Sequence, residues 1–177
     1  MATIPRWYAV RTRSNFETRV AEGLFGKGID QFVPCYEEVH QWKDRKKKVR
    51  VPLFPGYVFT RFQDSPEMRI SVMRTNGVVS ILGHAGAIEP VPEHELAAVR
   101  TILAARVGCG PHPFLREGAL VRVTRGALTG LEGLLVKIKN QARLVVSVSL
   151  LSRSVAAEVS ARDIEPIRMS GRPCTRI

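Results

Sequence analysis

A chain of 177 residues has room for one ordinary domain or two small ones, at roughly 100–150 residues each, and none for a large multidomain enzyme. With 45% hydrophobic and 24% charged residues it can bury a core, which excludes a disordered tail, and no apolar run approaches the ~18 residues of a membrane span. The 27 lysines and arginines against 16 acids leave +11, which suits a polyanionic partner such as nucleic acid, or an assembly holding it; a merely solubilising surface is the plainer reading.

Trp7-Tyr8-Ala9-Val10-Arg11 has the aromatic and β-branched content of a strand. Ser14 followed by Glu17 is a capping-box pair, and Phe16, Val20 and Leu24 form the apolar stripe of a helix that Gly26 and Gly28 stop. Ile29 to Val39 reads as an extended edge or bulged strand, interrupted at Pro34. The tip that follows, Trp42 to Arg50, carries six bases and one acid, Lys46, Lys47 and Lys48 among them. Such a run is either a solvated hairpin loop or one that contacts phosphates. In Tyr57 to Phe62 the period of two puts Tyr57, Phe59 and Arg61 on one face and Val58, Thr60 and Phe62 on the other. Both faces are largely apolar, so the sheet is expected to be covered on both sides.

Pro66 to Arg74 fits a short helix with Ile70 and Met73 facing inward, Asn76-Gly77 a turn, and Val78 to Leu82 a strand. A last helix opens at Pro92 and runs through Ala105, with Leu96, Val99 and Leu103 on its apolar face. This order predicts an α+β sandwich, one antiparallel sheet with packed helices. Two glycines and two prolines between Val107 and Phe114 block both helix and central strand, so a hinge or linker is expected there. Beyond it the helical period vanishes. Leu120 to Thr124, Leu134 to Lys139, Leu144 to Val148, Val155 to Val159 and Ile164 to Ile167 read as five short strands, enough for a small β-barrel. The expected division is 1–106, a linker at 107–115, a barrel at 116–168 and a basic tail at 169–177.

Enzyme chemistry finds no support in the motifs. His40, His84, His94 and His112 are not at ligand spacing, Cys35, Cys109 and Cys174 are odd in number and far apart, and no phosphate loop, dinucleotide fingerprint or nucleophile elbow occurs. Glu37-Glu38 alternates across a strand and makes a poor acid/base pair. A binding or regulatory protein without metal or cofactor is expected, and Met1 to Arg6 lacks the apolar stretch of a signal peptide, so the expected location is the cytoplasm.

Trp7-Tyr8-x-Val10, Pro34-x-x-Glu37-Glu38, the basic tip, Phe54-Pro55-Gly56-Tyr57-Val58 and Thr75-x-Gly77-Val78 followed by Gly83 resemble, in order and spacing, the N-terminal domain of the NusG family of transcription elongation factors. The second block resembles the KOW domain that follows it, an SH3-like barrel, through Gly118, Val121, Val123, Gly126, Gly130 and Gly133 and through Val146 to Arg153. The resemblance covers residues 6 to 167 and implies a monomeric bacterial elongation and antitermination factor. By that resemblance Trp7, Tyr8, Phe54, Gly56 and Tyr57 bind the clamp helices of the large subunit of RNA polymerase. Arg74 and Thr75, with Arg69 beside them, face the non-template DNA strand of the transcription bubble; a solvated helix end is the alternative for Arg74.

The resemblance further implies that the KOW domain recruits a small-subunit ribosomal protein, a termination helicase or nascent RNA. Leu128, Leu131, Leu150 and Leu151 stand where relatives commonly carry aromatic residues, and Ser152 replaces a frequent glycine. With Arg153 these leucines would form an apolar patch with a cationic rim for a protein partner, unless the barrel mouth buries them; Arg122, Arg125, Lys137, Lys139 and Arg143 offer an RNA-facing alternative. The +11 charge leans toward a specialised, operon-restricted paralog. Abundant valine and repeated glycine argue for a β rather than helical resting state of this block. A ribosome-associated RNA-binding protein using the KOW barrel is the reading from another class.

Overall fold

A computed structural model describes residues 4–42, 45–84, 86–113, 118–138 and 141–167. The first strand, β1 (Arg6–Thr12), is buried from Trp7 to Val10 because its alternate residues enter two different cores. Helix α1 (Glu17–Phe25) follows, then β2 (Asp30–Phe32) and a long hairpin of β3 (Cys35–Trp42) and β4 (Arg45–Pro52), paired from Cys35 with Pro52 to Trp42 with Arg45. The next elements are β5 (Tyr57–Phe62), α2 (Pro66–Met73), β6 (Val78–Ile81), the small pair β7 (Gly83–His84) and β8 (Ala87–Ile88), and α3 (Glu93–Ala104). The main N-terminal sheet has the order β2-β5-β1-β6, with antiparallel pairings.

The two faces expected of β5 are the two faces observed. Val58 and Phe62 join Tyr8, Val10, Val20, Leu24 and Val72 in the core beneath α1 and α2. Tyr57 and Phe59 face the other way, toward Trp7, Phe54 and the buried stripe Leu96, Val99 and Ile102 of α3. The turn between α2 and β6 requires a glycine: Gly77 has φ +97, and a Cβ there would stand 2.7 Å from a ring carbon of Phe16.

Two local expectations fail for tertiary reasons. Ser14 and Glu17 do not form a capping box; α1 starts at Glu17 with Phe16 as its cap residue, and the buried Glu17 carboxylate instead accepts the Gly56 N–H at 2.6 Å. In α2, Ile70 and Met73 do not face inward but are 52% and 43% exposed, while Val72 is fully buried and Met68 partly so. So short a helix touches the sheet along one narrow line, and the 68/72 pair occupies it.

The C-terminal strands are β9 (Cys109–Pro113), β10 (Ala119–Val123), β11 (Glu132–Ile138), β12 (Gln141–Val148), β13 (Arg153–Glu158) and β14 (Ile164–Pro166), in the sheet order β14-β10-β11-β12-β13-β9. The five strands expected from the sequence are all present, in β form. The sixth comes from the Gly/Pro-rich segment, which lies along β13 from Arg153 opposite Pro113 to Ala157 opposite Cys109. It takes an edge position, the one place in a sheet where missing proline N–H groups are tolerated. Ser152 sits in the left-handed region at φ 48.

Candidate functional site

Trp7 and Tyr8, adjacent on β1, are directed to opposite faces of the sheet. Trp7 lies under α3, where the Arg100 guanidinium sits 4.6 Å from its ring centroid and 4.8 Å from that of Phe32. Tyr8 stacks on Phe62 at 4.6 Å within the α1/α2 core, and burial raises its phenol pKa. It is therefore not part of the surface that Trp7, Phe54 and Tyr57 share. Phe54 is only 1% exposed and meets Phe59 edge-on at 5.7 Å, so it is a core residue rather than an open contact. Gly56, at φ +84, sends its N–H to Glu17 and accepts the Thr12 N–H at 2.8 Å, which anchors the turn that presents Tyr57. Tyr57 is half-buried, and the Arg153 guanidinium caps its ring at 5.5 Å.

That last contact joins the two halves of the chain. Leu128 and Leu151, expected as an open patch, are 3% and 7% exposed, and Leu131 and Leu150 are partly buried. Leu128 and Leu151 belong to one continuous apolar cluster with Trp7, Phe54, Phe59 and the inner stripe of α3, and Leu131 and Leu150 pack against it. At its edge Glu95 accepts two hydrogen bonds from Ser149, at 2.7 Å from the hydroxyl and 3.1 Å from the backbone N–H. Sequence reasoning missed both residues. An acid in the first turn of a helix reads as a macrodipole partner, and nothing local distinguishes it from one that reaches across to another sheet.

The nucleic-acid candidates separate as well. Arg74 caps α2 and is exposed. Thr75 is buried; its hydroxyl donates to the Ser71 carbonyl and accepts from Lys27 Nζ at 2.9 Å, so it holds the corner instead of reaching outward. Arg69 makes a fork with Asp64, at 2.5 Å and 2.8 Å, which lowers the Asp64 carboxyl pKa and raises that of the guanidinium. Lys47 and Lys48 are exposed on β4, Lys48 with Glu37 at 3.3 Å; the Lys46 side chain lies outside the described residues. Of the RNA-facing alternatives, Arg122 pairs with Glu132 and Arg143 with Glu158, Arg125 is exposed, and the side chains of Lys137 and Lys139 lie outside the described residues. Among the described residues no group of three or more His, Cys, Asp or Glu is placed to hold a metal, and no helix is long and apolar enough to cross a membrane.

The fold is that of a two-part α+β protein, an antiparallel sheet with packed helices followed by an all-β antiparallel sheet. Residues 5–100, more than half of the chain, match the family profile described as transcription termination factor nusG. The chain is 30% identical over 178 residues to the transcription termination/antitermination protein NusG of Escherichia coli K12, covering 90% of this chain and 95% of that one, and 27% identical over 176 residues to its counterpart in Buchnera aphidicola. A solved structure of Thermotoga maritima NusG, determined for its domain interaction, shares the fold with a TM-score of 0.58 at 20% identity, over 93% of this chain and 98% of that one. The chain belongs to the NusG family. It is a NusG-like, non-enzymatic transcription termination/antitermination factor.

Proposed function

We propose that this protein works in the cytoplasm as an elongation and antitermination factor that divides at the β9 segment. Its N-terminal half takes the clamp helices of RNA polymerase on the face carrying Trp7 and Tyr57, and its C-terminal half recruits a second partner through Leu128, Leu131, Leu150, Leu151 and Arg153. One observation carries the reading: the two apolar surfaces that such a factor needs are here packed on each other, with Arg153 over Tyr57 and Glu95 bonded to Ser149. Apolar surfaces of this extent normally serve an interface. Arranged this way, each half covers the other's contact residues, and polymerase engagement requires their separation. Arg74, Lys47 and Lys48 then follow the DNA at the edge of the bubble. The ion pairing of Arg122 and Arg143 weakens the case for an RNA-facing C-terminal sheet.

Affinity for core RNA polymerase tests this. The double variant Glu95→Ala/Ser149→Ala, which loosens the junction without touching Tyr57, is expected to bind more tightly than the parent, and adding Tyr57→Ala to reverse the gain. Equal affinity of all three proteins would sink the proposal. Transcription on paused templates with Arg74→Ala reports the DNA contact, and unaltered pausing on every non-template sequence would remove it. Co-purification of ribosomal subunits without polymerase would favour the ribosome-associated reading instead.

A further inference from the structure

The segment that joins the two halves is also the outermost strand of the C-terminal sheet. β9 lies along β13, and the Glu158 N–H donates to the Gly108 carbonyl at 2.8 Å, in register with that pairing. Bonded and unbonded pairs alternate in an antiparallel ladder, so Gly108, Gly110 and His112 fall at bonded positions and Pro111 and Pro113 at unbonded ones. The N–H groups that the prolines lack are therefore not ones that β13 needs. Side chains add little to the hold. Gly108 and Pro111 are exposed, a Cβ at Gly110 would meet nothing within 4 Å, and Cys109 packs against the larger core from a half-buried position. Glycine regains much conformational freedom on leaving a strand, and an edge ladder with few apolar contacts is the kind of element that opens locally.

The pairing also sets the length of the tether between the halves. With β9 docked, residues 105–108 alone connect α3 to the C-terminal sheet, and four residues reach about 14 Å at most. With β9 released, the span from α3 to β10 is residues 105–118, which reach about 50 Å. A helical partner is about 10–12 Å thick, so a strapped C-terminal half stays beside the face that carries Tyr57, while a released one clears it. The same lengthening lowers the effective concentration of one half at the other roughly sixfold, by the −3/2 power of tether length.

We propose that β9 is a releasable strap: docked on β13 it holds the C-terminal half against α3 and Tyr57, and its detachment is the step that lets the halves part. What the parted halves serve rests on the polymerase reading above, whereas the strap is tested in the absence of polymerase. Amide hydrogen exchange of the full chain follows both events, at the Glu158 N–H for the strap and at the Ser149 N–H, held by Glu95, for the junction. Gly110 lies outside the left-handed region and has open space at its Cβ, so alanine and proline both fit there, but only proline removes the N–H directed at β13. In Gly110→Pro, exchange is expected to rise about tenfold or more at Glu158 and about sixfold at Ser149, with the α1/α2 core as protected as in the parent. Gly110→Ala is expected to match the parent. A staple gives the converse. Ala157 stands opposite Cys109 at an unbonded pair, whose Cα separation of about 4.5 Å suits a disulfide. In oxidised Ala157→Cys, with the link to Cys109 verified by mass spectrometry, Ser149 exchange is expected to slow several-fold relative to the reduced form of the same variant, a comparison that stands even if Gly110→Pro does not fold. Faster exchange at Glu158 with none at Ser149, an effect of alanine at position 110 as large as that of proline, or Ser149 exchange indifferent to the staple would each overturn the proposal.

Discussion

Phe54 and Tyr57, three positions apart, have different work. Because Phe54 is enclosed and edge-on to Phe59, Phe54→Ala removes a whole buried ring, and urea denaturation is expected to show a loss of about 3–5 kcal/mol. Tyr57, half-buried under Arg153, should cost clearly less on truncation, so it is the variant to use when polymerase contact is measured on a folded protein. Asp64 carries a pH prediction. Its folded pKa is held below the unfolded value of about 3.9, first by the hydrogen bond from Arg69. The pair's contribution is therefore present above the unfolded pKa and disappears as pH falls through the lower, folded value. A carboxyl titration followed by NMR should place Asp64 below the ordinary range, and Arg69→Gln should return it there; an unmoved midpoint would refute the pairing. None of this was legible from the sequence, which marks Phe54 and Arg69 as candidates without saying that one is buried and the other engaged.

At the scale of elements, most strand and helix placement followed from period and turn residues, but the basic run expected as a hairpin loop is strand β4, drawn into pairing by β3, and orientation did not always follow. Helix α2 shows the difference. Its start at Ser65-Pro66 is encoded locally, with the Ser65 hydroxyl accepting the Met68 N–H at 3.3 Å. Which residues it buries depends on where the sheet lies. Substituting serine at Ile70 or Met73 should change stability by no more than about 0.5 kcal/mol, whereas Val72→Ala should cost about 2 kcal/mol, both read from denaturant midpoints. The Gly/Pro segment makes the same point from the other side. Its composition excludes a central strand, yet the exposed edge of β13 recruits it as β9, a pairing that only the neighbouring strand can dictate.

For the whole molecule, the junction between the halves is the decisive feature. Glu95→Ala leaves the Ser149 N–H without its carboxylate at the edge of the shared apolar cluster. Hydrogen exchange is expected to show faster opening of Ser149 and of the adjoining face of α3, with the α1/α2 core still protected. Exchange that rises uniformly through both cores would mean that the halves unfold as one unit. Circular dichroism should meanwhile record no gain in helix on opening. Gly126 and Gly130 sit at φ +84 and +85, and the valines at 121, 123, 145, 146, 148 and 155 are buried in β geometry, so the C-terminal sheet does not need the N-terminal half to stay in β form.

The sequence by itself determined the two-part α+β organisation, the three helices, most of the strands, the two apolar faces of β5 and the family. Each of these rests on local periodicity, on turn chemistry or on motifs whose spacing survives without knowledge of contacts. The tertiary structure decided that Tyr8 and Trp7 serve opposite cores, that Thr75 and Arg69 are already engaged, that Leu128 and Leu151 are covered, and that Glu95 reaches Ser149. These depend on which surfaces meet across long stretches of chain, and an apolar or charged side chain carries no local mark of the partner that will bury or neutralise it.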